Sequence, residues 1–300
     1  MEALKKCPIC ESDSLDYFLS CKDYTVSHES FTIVKCRNCE FVFTNPRPDP
    51  VTIGKYYKSE DYISHSDVRK GLISKLYHFF RNYTLLKKLQ LVINLTGKPS
   101  EKISRNLLDI GCGTGSFLNI CSKAGFTCFG IEPEKDARVL AQKKYNLEIG
   151  DESNLDSLAS GIMDVITMWH VLEHVSSLND TIQKIKRLLK PNGFLIVAVP
   201  NRNSFDAKYY KEFWAAFDTP RHFYHFTPSN VSKLFSKNNM KVLRTLPMKL
   251  DSFYISMLSE KYKYGRVNYW KAIFIGIKSN LLAVKTGIEF SSQIYVIRNE

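Results

Sequence analysis

Residues 106–118 read NLLDIGCGTGSFL. An apolar run with the look of a buried strand reaches Asp109, and Gly111, Gly113 and Gly115 then crowd into five positions before an amphipathic segment opens at Ser116. Glycine lets the backbone turn sharply and approach a ligand with no Cβ between them. The start of the next helix offers free N–H groups at the same place. The chain beyond repeats the theme: FTCFGIEP, LEIG, DVITMWH and FLIVAVPN are apolar runs, with helical periodicity in EKDARVLAQKKY and SLNDTIQKIKRLLKPNG between them. In the latter, Leu178, Ile182, Ile185 and Leu189 share one face and Asn192-Gly193 supplies a stop signal. Strand and helix in alternation predict an α/β chain with a doubly wound parallel sheet. Ligands of such sheets bind beyond the C-terminal strand ends beside the first strand, where this glycine turn falls. The tail adds a helix after TPSN and two strands, KVLRTL and SSQIYVIRN.

The spacing of the turn is G-x-G-x-G, whereas the dinucleotide fingerprint is G-x-G-x-x-G, and here Ser116 fills the next slot. A carboxylate at Asp109 would repel a pyrophosphate, yet it suits a ligand with an ammonium beside a sulfonium, as in S-adenosylmethionine. Glu132 closes the next strand, placed to accept from both ribose hydroxyls, and Asp151 closes the one after, facing the adenine amino group. With LLDIGCGTGSFL, GIEP, GDESNL, DVITMWHVLEHV and LLKPNGFLIVAVPN in order over 105–201, the chain resembles the class I S-adenosylmethionine-dependent methyltransferases. The resemblance implies a Rossmann-like seven-stranded sheet with its final strand inserted antiparallel. It also implies the methionine moiety on the glycine loop, with Trp169 and His170 lining the cofactor.

CPIC (Cys7, Cys10) and CRNC (Cys36, Cys39) make a C-x2-C…C-x2-C arrangement near the N-terminus. Each pair turns two thiolates to one side, and two such turns make a tetrahedral sulfur site of the kind structural zinc takes. A secretory leader is not expected from MEALKKCPIC, which argues against disulfides for these pairs. Cys21 reads as a spare, and Cys112, Cys121 and Cys128 sit inside apolar segments. The expected division is a zinc-binding module over 1–50, a helical linker or lid over 51–104, and the methyltransferase domain over 105–300. In the lid, Leu72, Ile73, Leu76, Phe79, Phe80, Tyr83, Leu86 and Leu89 recur at helical spacing, predicting one long or two short amphipathic helices. CxxC pairs ahead of this domain are also similar to a bacterial subgroup that modifies sugars and other small metabolites.

Two clusters carry candidate chemistry. HVLEH (170–174) matches the H-x-x-E-H pattern of a zinc peptidase class, but it starts at a strand end and that chemistry needs a helix. The same segment resembles quinone-pathway O-methyltransferases that place metal-binding groups at the positions of His170, Glu173 and His174. The plainer reading has Glu173 and His174 orient the cofactor loop. The second cluster, FWAAFDTPRHFYHFTP (213–228), gathers Asp218, Arg221, His222 and His225 among aromatic residues. There His222, His225 and His174 are candidate bases, Asp218 would fix an imidazole tautomer, and Arg221 would hold an anionic acceptor. Loop anchoring is the competing role.

The chain has 300 residues and a net charge of +12, with the basic excess in 61–105 and 201–300 and a slightly acidic 106–200. A basic flank points to an anionic or carrier-linked small-molecule acceptor, or to peripheral contact with a membrane surface. Its apolar runs are too short for a spanning helix, so a cytoplasmic protein is expected. Nucleic acid is the weaker partner, since the fourth strand lacks the amide pocket of amino-directed enzymes. The alternatives to a small-molecule enzyme are an RNA methyltransferase and a zinc-centred binding protein on a degenerate methyltransferase fold.

Overall fold

The computed structural model describes residues 1–57 and 72–299, with the backbone alone for 72–79. The lid residues before Leu72, and the side chains of Leu72, Ile73, Leu76 and Phe79, therefore lie outside what is described.

The N-terminal part is an antiparallel sheet of β1 (Leu15–Lys22), β2 (Ser30–Cys36) and β3 (Val42–Thr44). A single helix, α1 (Leu72–Thr96), follows, and its Val92 is buried under the main sheet's second core cluster with Leu107 and Phe117. Alternation then runs β4 (Asn106–Ile110), α2 (Ser116–Lys123), β5 (Thr127–Ile131), α3 (Lys135–Tyr145), β6 (Ile149–Gly150), α4 (Asn154–Ser157), β7 (Met163–Trp169), α5 (Leu178–Leu188) and β8 (Leu189–Pro200). After β8 come α6 (Phe205–Tyr210), the two-residue β9 (Tyr224–His225), α7 (Pro228–Lys237), β10 (Met240–Pro247), the helices α8 (Asp251–Tyr264) and α9 (Tyr269–Thr286), and β11 (Ser292–Asn299).

The large sheet has seven strands in the order β10-β11-β8-β7-β4-β5-β6. β4 pairs in parallel with β5 and β7, and β7 with β8, whereas β11 runs antiparallel to both β8 and β10. The last strand is thus inserted in reverse, as expected. Central strands read as unbroken apolar runs because helices cover both faces: Leu107, Leu108, Val165, Ile166 and Leu195 through Val199 are all fully buried.

Three elements depart from the reading of the sequence. α5 stops at Leu188, and Asn192-Gly193 lies inside β8 rather than capping a helix. Lys190 precedes Pro191, and a residue before proline is pushed from helical to extended backbone, so the chain leaves the helix early. Gly193 has another task, since a Cβ there would meet the Met163 carbonyl oxygen at 2.8 Å. Second, the tail carries two helices, α8 and α9, between its strands. Third, β9 pairs with β3 and becomes the fourth strand of the N-terminal sheet, Val42 opposite His225 and Phe43 opposite Tyr224. One core cluster accordingly joins Cys7, Ile9, Phe41 and Phe43 to Leu172, Phe223 and Phe226. Among the described residues no helix is long and apolar enough to cross a membrane.

Candidate functional site

The glycine turn sits at the end of β4. Gly111, Gly113 and Gly115 all have left-handed φ, +70°, +53° and +74°. A Cβ at Gly111 would strike Val171 Cγ2 at 2.3 Å, whereas one at Gly113 would meet nothing within 4 Å. The first glycine is therefore demanded by packing, and the space over the second is open to a ligand. Asp109 lies beneath, 2% exposed, and accepts a 2.5 Å hydrogen bond from Thr167 Oγ1 of β7, its register partner. Burial pushes its carboxyl up to about 7, against the pull of Thr167 and the nearby Lys88 ammonium. Lys88, from α1, stands over the Trp169 ring at 4.2 Å from its centroid, and it feels the charges of both Asp109 and Asp251. Burial pulls the Lys88 pKa down, against the opposing charges of those two carboxylates.

Glu132 holds the loop from the other side. Its Oε2 accepts from the Gly113 N–H (2.8 Å) and its Oε1 from the Glu134 N–H (3.0 Å), and burial raises its pKa. Asp151 is half-buried, and its Oδ1 accepts from the Ser153 N–H and hydroxyl. Trp169 packs edge-on against Phe117, 5.5 Å between centroids. His170, in a left-handed conformation at φ +58°, lies with Nε2 3.2 Å from Asp251 and Nδ1 3.4 Å from Glu173. Burial alone would lower its pKa, but the two carboxylates lift it to about 9, so it is an imidazolium at neutral pH.

Beyond His170 the fold converges three groups: one ligand atom each of Glu173, His174 and His222 lies within 4.8 Å of the others. Glu173 is fully buried, and neither of its carboxylate oxygens receives a hydrogen bond. The His170 contact to it has ion-pair distance without hydrogen-bond alignment. A buried ionised carboxylate needs cationic company, and the His170 ring beside one oxygen supplies part of it while the side towards His174 and His222 stays open to more. The two imidazoles are set in the tautomer a metal takes. His222 Nδ1 donates to the Ala216 carbonyl at 2.8 Å. His174 Nδ1 lies 3.0 Å from the Arg221 carbonyl, which can only accept, so this nitrogen carries the proton; Tyr57 Oη is also 3.0 Å away. With Nδ1 so engaged, Nε2 is the nitrogen of each ring left to take a ligand, and that of His222 has Asp218 Oδ2 3.9 Å away; a backbone carbonyl orients metal-binding histidines in this manner. Burial and the neighbouring His222 pull His174 down to about 4, keeping its ring neutral.

Other members of the 213–228 cluster take different roles from those expected. His225 is buried in β9 with Nε2 3.1 Å from Thr44 Oγ1 of β3 and its ring edge-on to Phe217, so it is a strut within the N-terminal sheet rather than a base. Asp218 does not set a tautomer, since Ala216 does. Its carboxylate takes both Nε and Nη2 of Arg221, at 2.9 and 2.6 Å. Arg221 also donates to Tyr56 O and Asp23, is 3% exposed, and has no face for an acceptor. Burial opposes ionisation of Asp23, but N–H and O–H groups of Thr25 and Ser27 together with Arg221 hold it down to about 2. Reading the sequence missed Lys88, Thr167 and Asp251. Lys88 was legible in part, for it interrupts an apolar face between Leu85, Leu89 and Val92.

The four cysteines of the N-terminal pairs also meet. Cys7 and Cys39 Sγ are 3.5 Å apart, as are Cys10 and Cys36, and all four lie within 4.8 Å of one another as free thiols. Zinc–sulfur bonds of about 2.3 Å give tetrahedral edges of about 3.8 Å, so the set fits one zinc ion. The two turns are copies: CPICE and CRNCE each end in a glutamate with left-handed φ, Glu11 at +62° and Glu40 at +60°. Each glutamate N–H donates back to the first cysteine carbonyl. Cys21 is apart, its thiol donating to the Glu212 carbonyl.

The methyltransferase-domain family profile matches residues 77–245. A ubiquinone biosynthesis O-methyltransferase of Rickettsia typhi is 24% identical over 249 residues, 76% of this chain and 95% of its own length. Another protein of that name, from Caulobacter, is 34% identical over 103 residues, 32% of this chain; there the chain spans only 41% of the relative. The solved magnesium protoporphyrin IX methyltransferase of Synechocystis, with bound SAH, superposes with a TM-score of 0.55 at 14% identity, covering 84% of this chain and all of that one. A SAM-dependent methyltransferase of Archaeoglobus fulgidus gives 0.50 at 17% identity, over 77% of this chain and all of that one. With more than half of its length inside the family profile and the glycine turn, Asp109 and Glu132 gathered at one end of the expected sheet, the chain belongs to the methyltransferase-domain family.

Proposed function

We propose that this S-adenosylmethionine-dependent methyltransferase modifies an oxygen or carbon of a small metabolite that is anionic or carried on a larger group. In this reading Glu173, His174 and His222 hold a divalent cation on the acceptor side, and the four thiols hold a structural zinc. The observation that carries it is the fully buried Glu173 carboxylate, which has only the His170 ring beside it at 3.4 Å and lies within metal-sharing distance of the His174 and His222 imidazoles. The O-methyltransferase names of the relatives support oxygen as the first acceptor to try.

Methyl transfer is an in-line displacement at a carbon the sulfonium has already activated, so alignment is the protein's main task. Glu132 and Asp151 would fix the ribose and adenine, and Asp109 would attract the positive end. A cation in the Glu173 site would act as a Lewis acid on an acceptor oxygen. The chain's own part is to keep His174 and His222 in the tautomer that leaves Nε2 free, through the Arg221 and Ala216 carbonyls.

His222→Ala is expected to leave the cofactor dissociation constant within about threefold while lowering kcat by about 10²-fold and metal content in proportion. Calorimetry with the cofactor, metal analysis and steady-state rates are the measurements. An equal loss of cofactor affinity would show that His222 belongs to the cofactor site instead.

The pH response of cofactor binding tests Asp109. Its pKa is raised, so the buried ionised form is disfavoured and costs stability as pH rises towards 7, the reverse of a salt-bridged aspartate. A cationic ligand favours the ionised form, and binding should then release a proton. Affinity is expected to climb about tenfold per pH unit below about 7 and to level off above it. Asp109→Asn should flatten that climb. Calorimetry in buffers of different ionisation enthalpy reads the proton directly, and a pH-independent affinity in the unaltered enzyme would refute the assignment.

A further inference from the structure

Helix α9 wears its large side chains on the outside. The face turned to the protein is made mostly of small residues: Ala272, Gly276, Ser279 and Ala283 are buried there, with Ile275 the one large side chain among them. A Cβ at Gly276 would meet Phe253 of α8 at 2.6 Å, and Ser279 Oγ donates to the buried Asp206 at 2.6 Å. The opposite face is an apolar stripe of Trp270, Ile273, Phe274, Ile277, Leu281 and Val284, with Trp270 85% exposed and Phe274, Leu281 and Val284 at 60% or more. At about 100° per residue these six fall within roughly a third of the helix circumference. An unpartnered face this large and this apolar marks an interaction site.

The charges say what covers it. Helix α9 has no acidic residue in its 18 positions, and Lys271, Lys278 and Lys285, seven apart, run in a row along one edge of the stripe. Lys278 and Lys285 are exposed, and Arg266 stands exposed in the turn just before the helix. A second copy of the chain would bring two such lysine rows together, which repels. A surface that is apolar within and negative at its rim is complementary, and that describes the boundary of an anionic bilayer. The helix is too polar to span, but a stripe of this width suits a helix lying in the interface plane, with Trp270 and Tyr269 at headgroup level near one end.

We propose that α9 docks the enzyme on anionic membrane surfaces by its Trp270–Val284 stripe. The hairpin that presents it begins at Asp251, whose carboxylate touches His170 at the end of β7. Docking would therefore present the mouth of the site to amphiphilic acceptors. That last step rests on the function proposed above, and vesicle binding measured with no acceptor present stands or falls without it.

The test is flotation of the full, zinc-loaded chain with vesicles of phosphatidylcholine alone or with a quarter phosphatidylglycerol, near physiological salt. The expected result is at least about tenfold more protein with the anionic vesicles, falling as salt rises. Trp270 emission should shift to the blue, and it alone responds if Trp270→Phe removes the shift. Phe274→Asp with Leu281→Asp should abolish flotation while cofactor binding, measured by calorimetry, stays unchanged. Lys278→Gln with Lys285→Gln, both surface changes, should erase the preference for anionic vesicles. Failure to float with either vesicle would overturn the proposal. So would a concentration-dependent dimer in sedimentation that Phe274→Asp dissolves, since a second copy would then own the stripe.

Discussion

Cys36→Ala is expected to remove bound zinc, from about one ion per chain to a tenth of that, and to unfold the N-terminal sheet. Cys36 closes β2, is fully buried, and faces Cys10 at 3.5 Å. The segment over residues 1–50 has only three short strands and little core of its own. Structural zinc is worth about 10–16 kcal/mol of apparent folding free energy in small modules, as much as the whole stability of an ordinary domain, about 5–15 kcal/mol. The damage would travel. Thr44 donates to the His222 carbonyl and contacts His225, and β9 is paired to β3, so a melted sheet releases the loop that brings His222 to Glu173. Metal analysis, a thermal midpoint lower by at least about 10 °C, and faster amide exchange at residues 224–225 are the readouts. A Cys36→Ala chain with unaltered melting and exchange would mean the four thiols are merely neighbours.

Glu132→Ala is expected to weaken S-adenosylmethionine binding by about 10²- to 10⁴-fold with little loss of fold. Two hydrogen bonds from ribose hydroxyls to a carboxylate are worth about 1.5–3 kcal/mol each, which gives that range. Burial already raises the Glu132 pKa, so the charged group is held at a cost and its removal need not destabilise the chain. The Gly113 and Glu134 N–H groups would turn to water. Glu132→Gln keeps the shape and one acceptor and should fall between. Titration calorimetry decides it. An unchanged dissociation constant in Glu132→Ala would remove the ribose from this place, and the orientation of the cofactor with it.

The parts legible in the sequence were those with short-range causes. The glycine turn, Asp109 and Glu132 sit where one strand hands over to the next element, and the alternation of apolar runs and helices gives the parallel sheet, while its seven strands and reversed last strand came from the family resemblance. The two cysteine turns could be read because each is complete within five residues. What escaped was set at long range or by backbone. No pattern near residue 224 says that it will pair with residue 43. The tautomers of His174 and His222 depend on carbonyls of Arg221 and Ala216, which every residue possesses, so Asp218 looked the better partner. Helix α9 is hard to read because most of its large apolar residues face away from the protein, and apart from Ile275 its packed side is alanine, glycine and serine.

The strand that β9 lends to the N-terminal sheet bears on how such chains can be recombined. A splice near residue 50 would part Val42 and Phe43 from their partners and expose an unpaired edge on each side. Anyone grafting a new cysteine-bearing head onto this scaffold would need to carry the segment from about Arg202 to Phe226 along with it. The head and that distant loop form one structural piece, though the whole of residues 51–201 lies between them in the chain.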